Sequence, residues 1–282
     1  MGRGIDAAAA ATASHDAGAL LGEAEFDTAC RLIAGYAGIK LSPHKRFMVH
    51  NRLTRRLRVL GIDSFADYLE RVQSDAGERE AFVNALTTNL TAFFREPHHF
   101  EMLRARAEAH KARETRPLRV WCSACSTGEE AWSIAMTLRE AGCRAEVLAS
   151  DIDTEALEKA ERGIYPLERT ASLDAARMKA HWLRGVAEHA GQASVRPELR
   201  TMVRFTPVNL LAAWPPLEPF DAIFCRNVVI YFDREAQKRL LSRFAGVLRP
   251  GGLLAVGHAE SFPAGHPGFR PCGRTAYEYR PG

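Results

Sequence analysis

The stretch RVWCSACSTGEEAWSIAM, residues 119–136, runs from apolar residues through small ones to a single Gly128, two acids (Glu129 and Glu130) and an amphipathic segment. That is the layout of a strand–turn–helix nucleotide site, but it lacks the G-x-G-x-x-G that lets backbone approach a pyrophosphate. Two further polar positions end apolar runs: Asp151, about 23 residues beyond Gly128, and Asn227 in FCRNVVIYF. An acid about 20 residues past the glycine turn is where a ribose hydroxyl pair is gripped. Phosphate favours bare N–H groups at a helix N-terminus; acids there suit a cation instead. S-adenosylmethionine carries a sulfonium, an ammonium and a ribose but no phosphate, and it matches this pattern. Acids in a first helical turn also complement the helix dipole. For Glu129 the dipole reading is preferred; for Glu130 both readings stay open.

Upstream, TTNLTAFFREPHHFEML, residues 87–103, places Arg95 among aromatics just before the first strand. An arginine so placed can hold a carboxylate through two parallel hydrogen bonds. His98 and His99 are left without a role, since paired histidines are more often structural. Cys122-x-x-Cys125 has no second ligand pair at similar spacing, so no metal is expected. Small residues in a tight turn explain it better.

These residues need elements to position them. The chain has 282 residues, 46 % hydrophobic and 26 % charged, with a net charge of +4, the composition of a globular protein. No run of about 20 apolar residues occurs, so no membrane insertion is expected. Residues 1–21 are Ala-rich, carry Asp6 and Asp16, make a poor secretory signal and read as a disordered tail, which points to a cytoplasmic address. Residues 22–90 show helical spacing (Phe26, Cys30, Ile33, Ala34) and read as a small helical domain, with a linker helix over 91–117. From Leu118 the rhythm becomes strand, helix, strand, with an RPGG turn at 249–252 and a terminal strand pair, as in a doubly wound α/β sheet. Residues 165–203 break that rhythm. They are too long for a plain connection and read as a small inserted β subdomain with a hairpin around Gly185 and Gly191. Residues 45–58, KRFMVHNRLTRRLR, hold Lys45, Arg46, Arg52, Arg55, Arg56 and Arg58 and no acid. Such a run is either a patch for an acidic partner or a solvated helix face.

NLTAFFRE, STGEEAWSIAM, ASDIDTEALEKAERGIYP and PFDAIFCRNVVIYFD together resemble the chemotaxis receptor glutamate methyltransferases, the CheR family, over about residues 22–280. The resemblance implies a class I methyltransferase sheet with an N-terminal helical domain and an inserted β subdomain. It implies S-adenosylmethionine as cofactor, S-adenosylhomocysteine as product, and a cofactor pocket of Asn89, Thr91, Arg95, Glu130, Asp151, Asn209, Leu210, Asn227 and Val228. Arg95 and Tyr231 would lie by the transferred methyl, as catalytic residues. The acceptor implied is a glutamate on a helical receptor domain, reached through the basic run from Lys45 to Arg58. A receptor C-terminal peptide can be tethered at the inserted subdomain in some family members. Ala187, where a second close glycine would help a peptide approach, leaves tethering open here.

A glutamate carboxylate has an ordinary pKa near ~4.3 and is already a nucleophile at neutral pH. The absence of a Ser/His/Asp or Cys/His set is consistent with that. A rival reading is a nucleic-acid methyltransferase, but NVVIYF lacks the Asn/Asp-Pro-Pro-aromatic turn of base N-methylation, so no nucleic-acid partner is expected. A second rival is a non-catalytic adapter that senses cofactor or product.

Overall fold

The computed structural model describes residues 20–260 and 268–282. Four helices come first: α1 (Glu23–Ala37), α2 (Arg46–Leu60), α3 (Phe65–Ser74) and α4 (Ala76–Leu86). Their apolar faces meet around Ile33, Val49, Leu53, Tyr68, Phe82 and Leu86. Side-chain caps set the starts: Ser64 accepts from the Asp67 N–H before α3, and Asp75 from the Gly77 and Glu78 N–H groups before α4. Of the expected tail, residues 1–21, Leu21 is buried in this core and Leu20 is exposed, while residues 1–19 lie outside the described residues.

The linker helix is shorter than expected. It is α5 (His98–Arg113), while residues 91–97 form an irregular segment over the sheet. The α/β part follows with β1 (Leu118–Cys122), α6 (Glu129–Glu140), β2 (Ala145–Asp151) and α7 (Thr154–Arg162). Next come β3 (Ile164–Pro166), α8 (Ala175–His181), β4 (Trp182–Arg184), β5 (Gln192–Val195) and α9 (Pro197–Arg200). The chain ends with β6 (Val203–Pro207), β7 (Phe220–Cys225), α10 (Arg234–Val247), β8 (Leu248–Val256), β9 (Phe269–Gly273) and β10 (Ala276–Tyr279).

Seven strands form one sheet in the order β6-β2-β1-β7-β8-β10-β9, parallel except for β10, which runs antiparallel between β8 and β9. The strand order reverses between β1 and β7, so a crevice opens beyond their carboxyl ends. RPGG is not a free turn. Residues 249–252 lie within β8, where pairing jumps from Phe220↔Leu248 to Ala222↔Leu253, and Gly251 at φ +78 takes up the extra residues.

β3, β5 and β4 make a separate three-stranded antiparallel sheet. Tyr165, Trp182, Ala193 and Val195 from it pack with Phe93 and with Trp132 of α6. In its β4–β5 loop Ala187 holds φ +53, a left-handed conformation that an alanine adopts at a cost. The inserted sheet therefore rests directly on the helix and the segment that border the crevice.

Candidate active site

The crevice holds a cleft of about 260 Å³, lined from the loop after β1 (Ser123, Ser126), the first turn of α6 (Glu130), the end of β2 (Asp151), the 87–95 segment (Asn89, Thr91, Arg95) and the later strand ends (Asn209, Leu210, Asn227, Val228, Tyr231). Every candidate site residue read from the sequence thus lines one cleft. Lys40, Lys45 and Met48 reach the same cleft from the helical domain.

The loop after β1 uses four of its N–H groups internally. The N–H groups of Ser123, Cys125 and Gly128 donate to the carbonyls of Phe224, Ser150 and Cys125 (each 2.9 Å), and the Ser126 N–H donates to Asp151 Oδ2 at 2.7 Å. These four donors are spent on the loop's own shape, and the acids that follow, Glu129 and Glu130, are each paired with an arginine. A loop with so many of its donors engaged fits a phosphate-free nucleoside.

Asp151 sits at the end of β2, buried, and also accepts the Asp153 N–H at 3.0 Å. Burial pushes its carboxyl up to about 6, against the pull of those backbone donors. Asn89 links this strand end to the upstream segment: its Nδ2 donates to Asp153 Oδ2 at 2.6 Å and its Oδ1 accepts the Ser126 hydroxyl at 2.8 Å. The Thr87 hydroxyl donates to the same Asp153 oxygen. Asp153 in turn caps α7 through the Ala156 N–H.

The two acids of the first turn of α6 differ. Glu129 is buried and paired with Arg169 of the inserted subdomain, and it accepts the Thr127 hydroxyl at 2.7 Å. A salt bridge fixes it, so its role goes beyond the dipole reading. Glu130 lines the cleft, but its Oε2 takes a 2.6 Å bond from Arg226 Nη1, and its Oε1 accepts the Cys122 thiol at 3.3 Å. Burial raises its carboxyl above the ordinary range and Arg226 opposes that rise. Glu130 is therefore a partly neutralised acid.

Sequence reasoning missed two residues here. Arg226 has a fully buried guanidinium between Glu130 and Glu96 (3.2 Å to Oε2) and also donates to the Arg95 carbonyl. Glu260, at the end of β8, accepts the N–H groups of Asn227 (2.8 Å), Val229 (2.7 Å), Ile230 (3.3 Å) and Gly257 (2.6 Å). It holds Asn227 in the left-handed region at φ +58. The signal for Arg226 was its place between Cys225 and Asn227 at a strand end. Glu260 had no local signal, because all its partners but Gly257 lie about 30 residues upstream.

Asn209 lines the cleft, yet its side chain is turned to structure: Nδ2 donates to the Tyr36 carbonyl at 2.7 Å and Oδ1 accepts the Leu211 N–H at 2.9 Å. Arg95 lines the mouth, and its Nη1 donates to the Leu90 carbonyl at 3.0 Å. Tyr231 is half-buried, and its carbonyl accepts the Lys40 N–H at 3.2 Å, a second tie to the helical domain.

The basic run divides in two. Arg46 donates to the Leu21 carbonyl, Arg52 to the Ala85 and Thr87 carbonyls, and Arg56 to buried Glu78, which also accepts the Tyr68 hydroxyl at 3.0 Å. These three hold the helical domain together. Lys45, Arg55 and Arg58 are exposed.

Among the described residues, Glu96, His98 and His99 bring potential ligand atoms within 4.8 Å of one another. Arg226 occupies the same Glu96 oxygen, and burial with Arg226 lowers His99 to about 4. His98 and His99 instead bond the carbonyls of Arg274 (3.1 Å) and Thr275 (3.2 Å). They fasten α5 to the β9–β10 turn.

A doubly wound sheet of this strand order, with an acid at the end of β2, is that of a class I S-adenosylmethionine-dependent methyltransferase. Residues 24–87 match the CheR methyltransferase all-alpha domain and residues 89–277 the CheR methyltransferase SAM-binding domain, so the chain belongs to the CheR family. It is 52 % identical over 264 residues to the chemotaxis protein methyltransferase of Klebsiella aerogenes, covering 91 % of this chain and 90 % of that one. Identity to the corresponding protein of Escherichia coli K12 is 49 % (91 % of each chain). Identity to chemotaxis protein methyltransferase 2 of Pseudomonas aeruginosa is also 49 % (85 % and 87 %). The chain is a methyltransferase of chemotaxis with S-adenosylmethionine as cofactor. Among the described residues no helix is long and apolar enough to cross a membrane.

Proposed function

We propose that this enzyme transfers methyl groups to glutamate side chains of chemotaxis receptors, forming methyl esters that adjust receptor signalling. One observation carries the reading: the described residues that line the cleft include the cations Arg95, Lys40 and Lys45 and no histidine or cysteine, and its buried acid Glu130 is taken by Arg226. An acceptor there must arrive as a ready nucleophile, and an ionised carboxylate is one.

S-adenosylmethionine, when bound, supplies the electrophilic methyl group. Asp151 would accept from the ribose hydroxyls. Asn89, Thr91, Glu130, Asn227 and Val228 would close around the remainder, with Leu210 on its apolar side and Asn209 holding the strand end. Arg95 would orient the acceptor carboxylate at the mouth, beside Tyr231. Such alignment supplies roughly 7–11 kcal/mol without proton transfer. The exposed Lys45, Arg55 and Arg58 would steer an acidic receptor helix to the cleft, and the three-stranded sheet is where a receptor C-terminal peptide would be tethered if this chain uses one. We place the reaction in the cytoplasm.

Incubation with a receptor signalling domain, followed by peptide mass mapping, tests this. Methyl increments on glutamates support it. Increments on lysine or asparagine, or none with cofactor bound, would overturn it.

A further inference from the structure

The segment that presents Arg95 is held in an unfavourable conformation. Phe94 at φ +52 and Glu96 at φ +58 both occupy the left-handed region that non-glycine residues avoid, and they flank Arg95 on either side. Something must over-determine this backbone. The Phe94 N–H is held by the Ser133 hydroxyl at 3.0 Å, and the Arg95 N–H donates weakly to the Ala92 carbonyl at 3.4 Å. The Arg95 carbonyl and the Glu96 carboxylate are both held by one side chain, the guanidinium of Arg226. Its third arm goes to Glu130 on α6, whose carboxylate lines the cleft.

We propose that Arg226 is a positioning residue for methyl transfer: its guanidinium locks the 94–96 backbone to the first turn of α6 and so fixes where Arg95 meets the acceptor. The arrangement suits arginine alone. Nη1 serves Glu130 while Nη2 serves both the Arg95 carbonyl and Glu96, a spread that a planar fork of donors spans at once, whereas an ammonium on a flexible stem serves these acceptors one geometry at a time. Burial adds force, since the side chain is 0 % exposed although it borders the cleft. Arg226 also adjoins Asn227, which Glu260 clamps from the other side, so the post itself stands on a rigid turn. Arg226 acts through Arg95 and Glu130 and has no need to touch the acceptor.

This inference rests on the proposed role of Arg95, and the test separates the two. In the full chain, Arg226→Lys, Arg95→Lys and the double variant are compared for kcat with receptor, for S-adenosylhomocysteine affinity by calorimetry, and for melting temperature. A small displacement of a positioning group costs about 10- to 100-fold in rate. Arg226→Lys should lose about that in kcat, with S-adenosylhomocysteine affinity, which Glu130 shares in, falling by a clearly smaller factor. In the double variant the losses should not multiply, because both act on one group. Multiplicative losses, or a parallel collapse of kcat and affinity, would overturn the positioning role. If Arg95→Lys alone leaves kcat intact, the reading of Arg95 fails, whatever Arg226 does. Should Arg226→Lys not fold, Glu96→Gln removes one arm away from the cofactor; it should show the same split between kcat and affinity, and an unchanged kcat there would sink the proposal.

Discussion

The Asn209 amide reaches across from the β6 end and donates to the Tyr36 carbonyl of α1 at 2.7 Å. One side chain thus ties the helical domain to the rim of the cofactor cleft. Around the same seam the Lys40 N–H meets the Tyr231 carbonyl, and Asn84 meets Thr154 through two hydrogen bonds. The helical domain is one wall of the cleft.

Asn209→Ala should therefore act first on structure. Loss of two half-buried hydrogen bonds costs about 1–2 kcal/mol, readable by urea denaturation. S-adenosylhomocysteine affinity should fall as a consequence of the loosened wall. Unchanged stability with a large loss of affinity would instead put the Asn209 side chain on the cofactor.

Asp151 gives a pH dependence with a definite sign. Its carboxyl is raised by burial to about 6, and the ionised form is the better acceptor for ribose hydroxyls. Affinity for S-adenosylhomocysteine should thus be about tenfold weaker at pH 5 than at pH 7, and Asp151→Asn should flatten that profile. Because the folded value lies above the ordinary one, this group's contribution to stability is full below its ordinary value of 3.8 and is lost as pH rises through about 6. A steep pH profile surviving in Asp151→Asn would contradict the assignment.

Gly128 was legible as a turn glycine, but its reason was not. At φ +96, a Cβ there would lie 2.7 Å from Ala160 Cβ and 2.8 Å from both Ala160 Cα and the Tyr165 hydroxyl. It lets α7 and the inserted sheet close on the loop rather than admitting a phosphate. Gly128→Ala should cost about 2–4 kcal/mol, from left-handed strain and overpacking together, measured as a fall in urea midpoint. A stable variant with normal cofactor binding would show that the close approach is dispensable.

The basic helix separates into two classes by substitution. Arg56→Ala leaves the Glu78 carboxylate, 5 % exposed, without its ion partner, and should destabilise by about 3 kcal/mol. Arg55→Ala with Arg58→Ala should leave the melting temperature nearly unchanged. The pair should reduce kcat/KM for receptor about 3- to 10-fold and flatten its salt dependence. The reverse pattern would remove the proposed steering.

Strand ends and helix periodicity are local properties, and the doubly wound sheet, the helical domain and the inserted sheet were legible from them. So were Asp151 and Asn227, because an acid or amide closing an apolar run has a local signature. Asn89, Thr91, Asn209 and Tyr231 were reached only through resemblance; Asn209 in isolation is an ordinary loop residue, and its partner Tyr36 is 173 positions away. The RPGG segment misled because a bulge within a strand uses the same residues as a turn. The division of the basic run depended on which arginines find carbonyls and Glu78, a tertiary matter. Arg226 and Glu260 take their meaning from partners as far as 131 residues off.

The most direct test of the account uses methyl-labelled S-adenosylmethionine, the purified enzyme and receptor-containing membranes, followed by mild alkali. Label in a receptor band that is released as methanol is the predicted result, since a glutamate ester hydrolyses under those conditions. Label that survives alkali would mean transfer to nitrogen or carbon and would contradict the carboxylate acceptor.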